Sequence, residues 1–240
     1  MKISMSSRGF SLVELVIALL LGSLLTLAAV QLFAVNQRTF ITQQNLTRVL
    51  DDGQLALRFL SHDLRQAGYS GGPVTTVSGV VFGGAEGSED GAVHDRITVQ
   101  YSGTLDCQGS ASAIPVQVVN IYQVNAAGEL TCQGSLSGAA PVALLSGVEG
   151  FRVQYGIDTT QDGAQGPFRF VGADQASSLG RPIVAIRVGL LLAVSSPALA
   201  TGEERSWYVL DREIEVGEDQ VLRRAFHTTV MLRNLDWEQI

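Results

Sequence analysis

The sequence predicts an α+β protein in which one long N-terminal helix lies across an antiparallel β-sheet. Three observations predict it. Leu15 to Val35 (LVIALLLGSLLTLAAVQLFAV) is an apolar run broken only by Gly22, Ser23, Thr26 and Gln31. Beyond it, Leu46, Val49, Leu50, Gly53, Ala56, Leu57, Leu60 and Leu64 recur at spacings of three and four, which places them on one helix face. After Pro73 the texture changes to short β-branched runs separated by Gly, Ser and Asn.

The apolar run comes first. At 1.5 Å per residue it forms about 30 Å of helix, the thickness of a bilayer core. Lys2 and Arg8 precede it, so the positive-inside rule keeps residues 1–9 in the cytoplasm and the body outside. A cleaved secretory signal has a shorter apolar core followed by a small-residue site; here the run is long and the small residue, Gly9, comes before it. Glu14 is the anomaly, because a carboxylate near the start of a membrane helix costs several kcal/mol unless it is paired or reaches the interface.

Gly9-Phe10-Ser11-Leu12-Val13-Glu14 resembles the processing site of type IV prepilins and of the related secretion pseudopilins. The resemblance implies cleavage between Gly9 and Phe10 by the prepilin peptidase and N-methylation of Phe10. Glu14 is then the fifth mature residue, placed to neutralise the Phe10 α-amine of a neighbouring subunit as helices bundle. The alternative is a carboxylate that snorkels to the interface and makes no specific pair. On this reading residues 1–9 are a leader, and residues 10–35 the transmembrane and filament-core half of the helix. Residues 36–68 are its amphipathic half, and residues 73–240 a periplasmic β-rich body.

The amphipathic half runs to about Ala67, where Gly68 in QAGYSGGP supplies a stop and Pro73 cannot continue the helix. Arg48, Asp51, Asp52, Arg58, Ser61 and Arg65 lie mostly off the leucine face, and Asp63 and Arg65 read as solvated. Leu50 to Gly72 is similar to PilW-type minor pilins, whose helix ends in D-L-R-x-A-G-Y. Many relatives carry a cysteine soon after that tyrosine, where this chain has Ser70-Gly71-Gly72.

Strands are expected over 96–103, 116–125, 148–157, 181–194, 207–210 and 225–235, the nearly continuous 181–194 run being central. With the helix they form one shared core, a type IV pilin-like body. LTCQG (130–134), GVEGFRVQYGID (147–158), VAIRVGLLL (184–192) and FHTTVMLRN (226–234) also resemble PilW-type signatures.

Composition excludes several functions. Hydrophobic residues make up 46% of the chain and the formal net charge is −7, with Lys2 the only lysine. An acidic body almost without lysine is not a nucleic-acid binder, since phosphate contact needs clustered positive charge. Cys107 and Cys132 have no CxxC partner; in an exported body one disulfide is the simplest reading, with unlinked buried thiols as the alternative. His62, His94 and His227 share no motif, and no hydrolase, zincin, P-loop or Rossmann pattern is present.

GGAEGSEDG (83–91) reads as a flexible surface loop. In DTTQDGAQG, Asp158, Thr160, Asp162 and Gly163 mimic the first half of an EF-hand loop, but Arg169 stands where calcium needs a bidentate glutamate. An acidic turn is the preferred reading, with calcium the weaker alternative and no other cofactor expected.

The resemblance implies a non-enzymatic minor pilin of the bacterial inner membrane, and then of the pilus, that helps to initiate assembly. Its implied partners are other minor pilins, the major pilin, the platform protein and a large tip-associated adhesin. The rivals are a J-type pseudopilin of a type II secretion system and a signal-anchored periplasmic enzyme or binding protein.

Overall fold

A computed structural model describes residues 9, 11–74, 77–82, 87–159, 168–196 and 205–234. In chain order its elements are α1 (Leu12–Leu64), β1 (Ile97–Leu105), β2 (Ala111–Val124), β3 (Glu129–Gly134), β4 (Val142–Ser146), β5 (Val148–Asp158), β6 (Phe168–Val171), α2 (Ala173–Leu179), β7 (Ile183–Ser195), β8 (Arg205–Val209), β9 (Arg212–Val216) and β10 (Val221–Met231).

The long helix forms as the periodicity requires. Val49, Gly53, Ala56, Leu60 and Leu64 are buried on one face, with Leu46 and Leu57 half-buried beside them. Leu50 departs from the expectation: it sits at the edge of that stripe and is exposed. Asp63 departs further, and in the opposite sense. It was expected in solvent, yet only 5% of it is exposed. Arg65, expected in solvent too, is exposed.

The strands form two four-stranded antiparallel sheets, ordered β1-β2-β3-β4 and β10-β7-β5-β6, and a separate β8-β9 hairpin. The single sheet expected from the sequence is therefore divided. The division falls at Gly147, between β4 and β5, whose φ of +75° is a left-handed conformation natural to glycine. Its carbonyl accepts from Ala193 N at 2.8 Å, so one residue takes the chain out of the first sheet and docks it on β7 in the second.

β7 is central, between β10 and β5, and its continuous apolar run is explained by burial on both faces. Ile186, Val188, Leu190 and Leu192 join the core shared with Leu60, Leu64, Ile97, Val99, Tyr122, Phe151 and Tyr155. On the other face the hairpin covers β7. A side chain at Gly189 would lie 2.8 Å from Leu210 Cγ, so the glycine lets the hairpin seat closely.

The 83–91 segment is not simply a loose loop where it is described. Ser88 is buried, and Glu89 bridges to Arg96. The Asp90 carboxylate accepts from Ala173 N at 2.8 Å and Asp174 N at 3.2 Å, the first amides of α2. Residues 83–86 lie outside the described residues.

Candidate assembly site

The helix begins by a local rule. Ser11 has φ −76° and ψ 149°, outside the helix, and its hydroxyl accepts from Glu14 N at 3.2 Å. Ser11 is thus the N-cap, with a glutamate three residues on, the S-x-x-E spacing of a capping box. Glu14 lies in the first turn, where its charge also favours the helix dipole. Gly9 is exposed and non-helical, and a side chain there would meet nothing within 4 Å. Phe10 lies outside the described residues.

From this start α1 projects a surface that the described residues do not cover. The apolar half of α1 is exposed along its whole length. Leu12, Leu25 and Phe33 are among its most exposed side chains. The hydroxyls inside the run are internally satisfied: Ser23 donates to Leu20 O and Thr26 to Gly22 O, both at 2.8 Å. Such polar residues do not require water, so the segment is compatible with lipid or with the centre of a helix bundle.

At the other end the helix is locked to the body. The Phe226 ring of β10 packs against Gly53, where a Cβ would sit 2.5 Å from it. Asp63 accepts from the hydroxyl of Tyr101 at 3.1 Å on Oδ1, and on Oδ2 from Asn120 Nδ2 and the Tyr122 hydroxyl, both at 2.7 Å. Burial, then the Asp63 charge, pushes the Tyr101 and Tyr122 phenols above their ordinary value. The last carbonyls of the helical segment, at Arg65, Gln66 and Ala67, all accept from Asn234 Nδ2, at 3.0, 3.4 and 3.3 Å. Gly68, with φ +79°, turns the chain there, and a side chain on it would meet Asn234 O at 2.8 Å. The helix-end motif and the C-terminal strand motif read from the sequence therefore meet in space.

Comparison with known proteins agrees with this geometry. Residues 4–30 match the family model described as the prokaryotic N-terminal methylation motif. Residues 120–234 match the model described as type IV pilus-assembly protein W. The two matches together support a PilW-type minor pilin. The fold agrees with that of a type IV-like pilin from Thermus thermophilus, at 20% sequence identity and a TM-score of 0.52 over 78% of this chain and 96% of that one. No curated protein matches the chain. Pilin-family proteins are structural subunits, and the apolar helix with its prepilin motif fits membrane anchoring.

Cys107 and Cys132 form the expected disulfide, with Cα atoms 6.3 Å apart. It ties the turn after β1 to β3. Of the calcium triad, Thr160 and Asp162 lie outside the described residues. Asp158 closes β5 with 3% exposure, and Arg181 Nη1 donates to its carbonyl at 3.2 Å, which puts a positive charge beside that end of the turn. Among the described residues no group of three or more His, Cys, Asp or Glu is arranged to hold a metal ion.

Three functional residues escaped sequence reasoning. Ser11 was detectable from its spacing to Glu14. Asp63 and Asn234 carried no local signal, since their partners lie far away in sequence.

Proposed function

We propose that this minor pilin primes type IV pilus assembly in the inner membrane. The prepilin peptidase removes residues 1–9, the new amine on Phe10 is methylated, and residues 10–35 sit in lipid until the subunit joins other minor pilins. Glu14 of one subunit then neutralises the Phe10 amine of the next, which offsets the cost of burying both charges and sets the axial stagger. The β-rich body of residues 73–240, carried on the amphipathic 36–68 segment, stays in the periplasm. There it meets other minor pilins, the major pilin, the platform protein and a tip-associated adhesin.

The observation that carries the reading is the uncovered apolar half of α1 directly behind a methylation motif. Among the described residues a side chain at Gly9 would meet nothing within 4 Å, so a substitution there tests processing without disturbing a contact in the body. Gly9→Val is expected to leave a full-length, unmethylated precursor in the membrane, read by mass spectrometry of the N-terminus. A normal mature N-terminus in that variant would refute the processing step. Deleting the gene should abolish pili and spare secreted enzymes; the reverse outcome would assign the chain to a type II secretion system.

A further inference from the structure

We propose that the Cys107–Cys132 disulfide is a redox-sensitive lock on the docking of α1. Both cysteines sit beside donors that hold Asp63. Cys132 on β3 is directly opposite Tyr122 on β2, whose hydroxyl donates to Asp63 Oδ2. The Cys107 amide donates to Asn120 Oδ1 at 3.2 Å, and Asn120 Nδ2 donates to the same Oδ2 at 2.7 Å.

The Cys107 contact decides which way the Asn120 amide faces. With its oxygen engaged by the Cys107 N–H, the side chain presents its NH2 to the carboxylate; turned over, it would oppose two oxygens. Asn120 is fully buried, so water does not replace a misdirected bond. The turn carrying Cys107 is held on its other side by Asp106, which accepts from Gln108 N and Leu136 N at 3.0 Å and from Ser110 N at 2.9 Å. The disulfide closes the remaining side of this frame. A chain of contacts therefore runs from the bridge, through one backbone amide and one side-chain amide, to a residue on the last turn of the helix.

A dithiol opens the lock. The S–S bond breaks as two electrons and two protons pass to the sulfurs, giving two thiols, and the dithiol becomes its own disulfide. Asn120 then loses its fixed orientation and Asp63 a fixed donor on Oδ2, so the end of α1 loosens from β1 and β2. The β7–β10 ladder lies in the other sheet and keeps its pairing. An oxidised subunit holds its helix at one angle to the body; a reduced one does not.

Hydrogen–deuterium exchange of the full-length protein in detergent tests this, read by mass spectrometry with and without dithiothreitol. Reduction is expected to speed exchange in the Arg58–Ala67 stretch roughly fivefold and to leave Ala185–Ser195 unchanged. The doubly substituted Cys107→Ser, Cys132→Ser protein should show the fast rate in either condition. Asn120→Ala should exchange fast before reduction and gain less than about twofold from it. Tyr122→Phe, which removes the other donor to Asp63 Oδ2, should raise the starting rate and retain a response to reduction. An unchanged helix end, an equal rise in both stretches, or a full response in Asn120→Ala would each overturn the proposal. If Asn120→Ala does not fold, the cysteine pair and Tyr122→Phe decide it by the same criteria.

Discussion

Replacing Asp63 tests whether directional bonds, rather than apolar contact alone, hold the end of α1. In Asp63→Ala the Tyr122 hydroxyl loses its 2.7 Å acceptor, and Asn120 loses one at the same distance. Tyr101 is less affected, because its hydroxyl also donates to Leu105 O at 3.0 Å. Hydrogen bonds to a charged group contribute about 1.5–3 kcal/mol each, and orphaned buried donors keep their desolvation cost. Against this stands the relief of no longer burying a carboxylate. Two strong bonds less that relief leave a loss of about 2–4 kcal/mol. Asp63→Asn keeps the shape and an oxygen for Asn120 and Tyr122, but removes the charge and turns an NH2 towards the Tyr101 hydroxyl, so it should lose about 1–2 kcal/mol. Urea unfolding of the full-length protein in detergent, followed by tyrosine near-ultraviolet dichroism, reads the difference. At an m-value of about 2 kcal/mol/M the Asp63→Ala midpoint should fall by about 1–2 M. A fall below about 0.3 M would refute the reasoning, since the helix would then be held by its leucine stripe alone.

Gly53→Ala places a methyl 2.5 Å from the Phe226 ring. It should destabilise by about 1–3 kcal/mol despite the better helix propensity of alanine, and Phe226→Leu in the same chain should recover part of the loss, both read by thermal unfolding. Alkali should unfold the body: Tyr101, Tyr122 and Tyr155 have phenols raised chiefly by burial, so stability is intact below the unfolded value of about 10 and declines as pH rises beyond it. In a chain whose exposed Tyr69 and Tyr208 are replaced by phenylalanine, phenolate absorbance that rises at high pH before dichroism is lost would contradict this. Glu14→Ala should preserve insertion and processing while lowering incorporation into pili by about tenfold, counted by immunoblot of sheared filaments; wild-type incorporation would leave Glu14 as a snorkelling residue.

Periodicity and local chemistry made much of this fold legible. The helix was expected to end near Ala67 and its regular part ends at Leu64, and β7 is central as its unbroken apolar run implied. Both are properties of a chain segment by itself. Asp63 was misread because its environment is made elsewhere: Tyr101, Asn120 and Tyr122 arrive from β1 and β2 to roof the flank of the helix beyond the leucine stripe. Helical spacing gives direction around an axis, but the width of what packs there depends on the sheet. The division into two sheets turns on Gly147, one glycine among 26 in the chain, and nothing in its immediate neighbours distinguishes it. The N-terminal motif was legible for the opposite reason, since its chemistry is read by other proteins as a short linear pattern.

The glycines in and beside α1 separate what this chain asks of itself from what is asked of it by others. Gly53 is required internally, because the Phe226 ring occupies the place of its side chain. Gly68 is required by a left-handed turn and by the Asn234 carbonyl against it. At Gly9 and Gly22 a Cβ would meet nothing within 4 Å, so no contact among the described residues asks for glycine there. Inside a helix glycine costs about 1 kcal/mol relative to alanine, which makes Gly22 a local weakness without an internal return. The internally required glycines lie where α1 packs on the body, and the two without an internal use lie at or near the uncovered apolar half. That partition follows the division of the helix: its C-terminal half belongs to a self-sufficient body, and its N-terminal half is complete only against lipid or other helices.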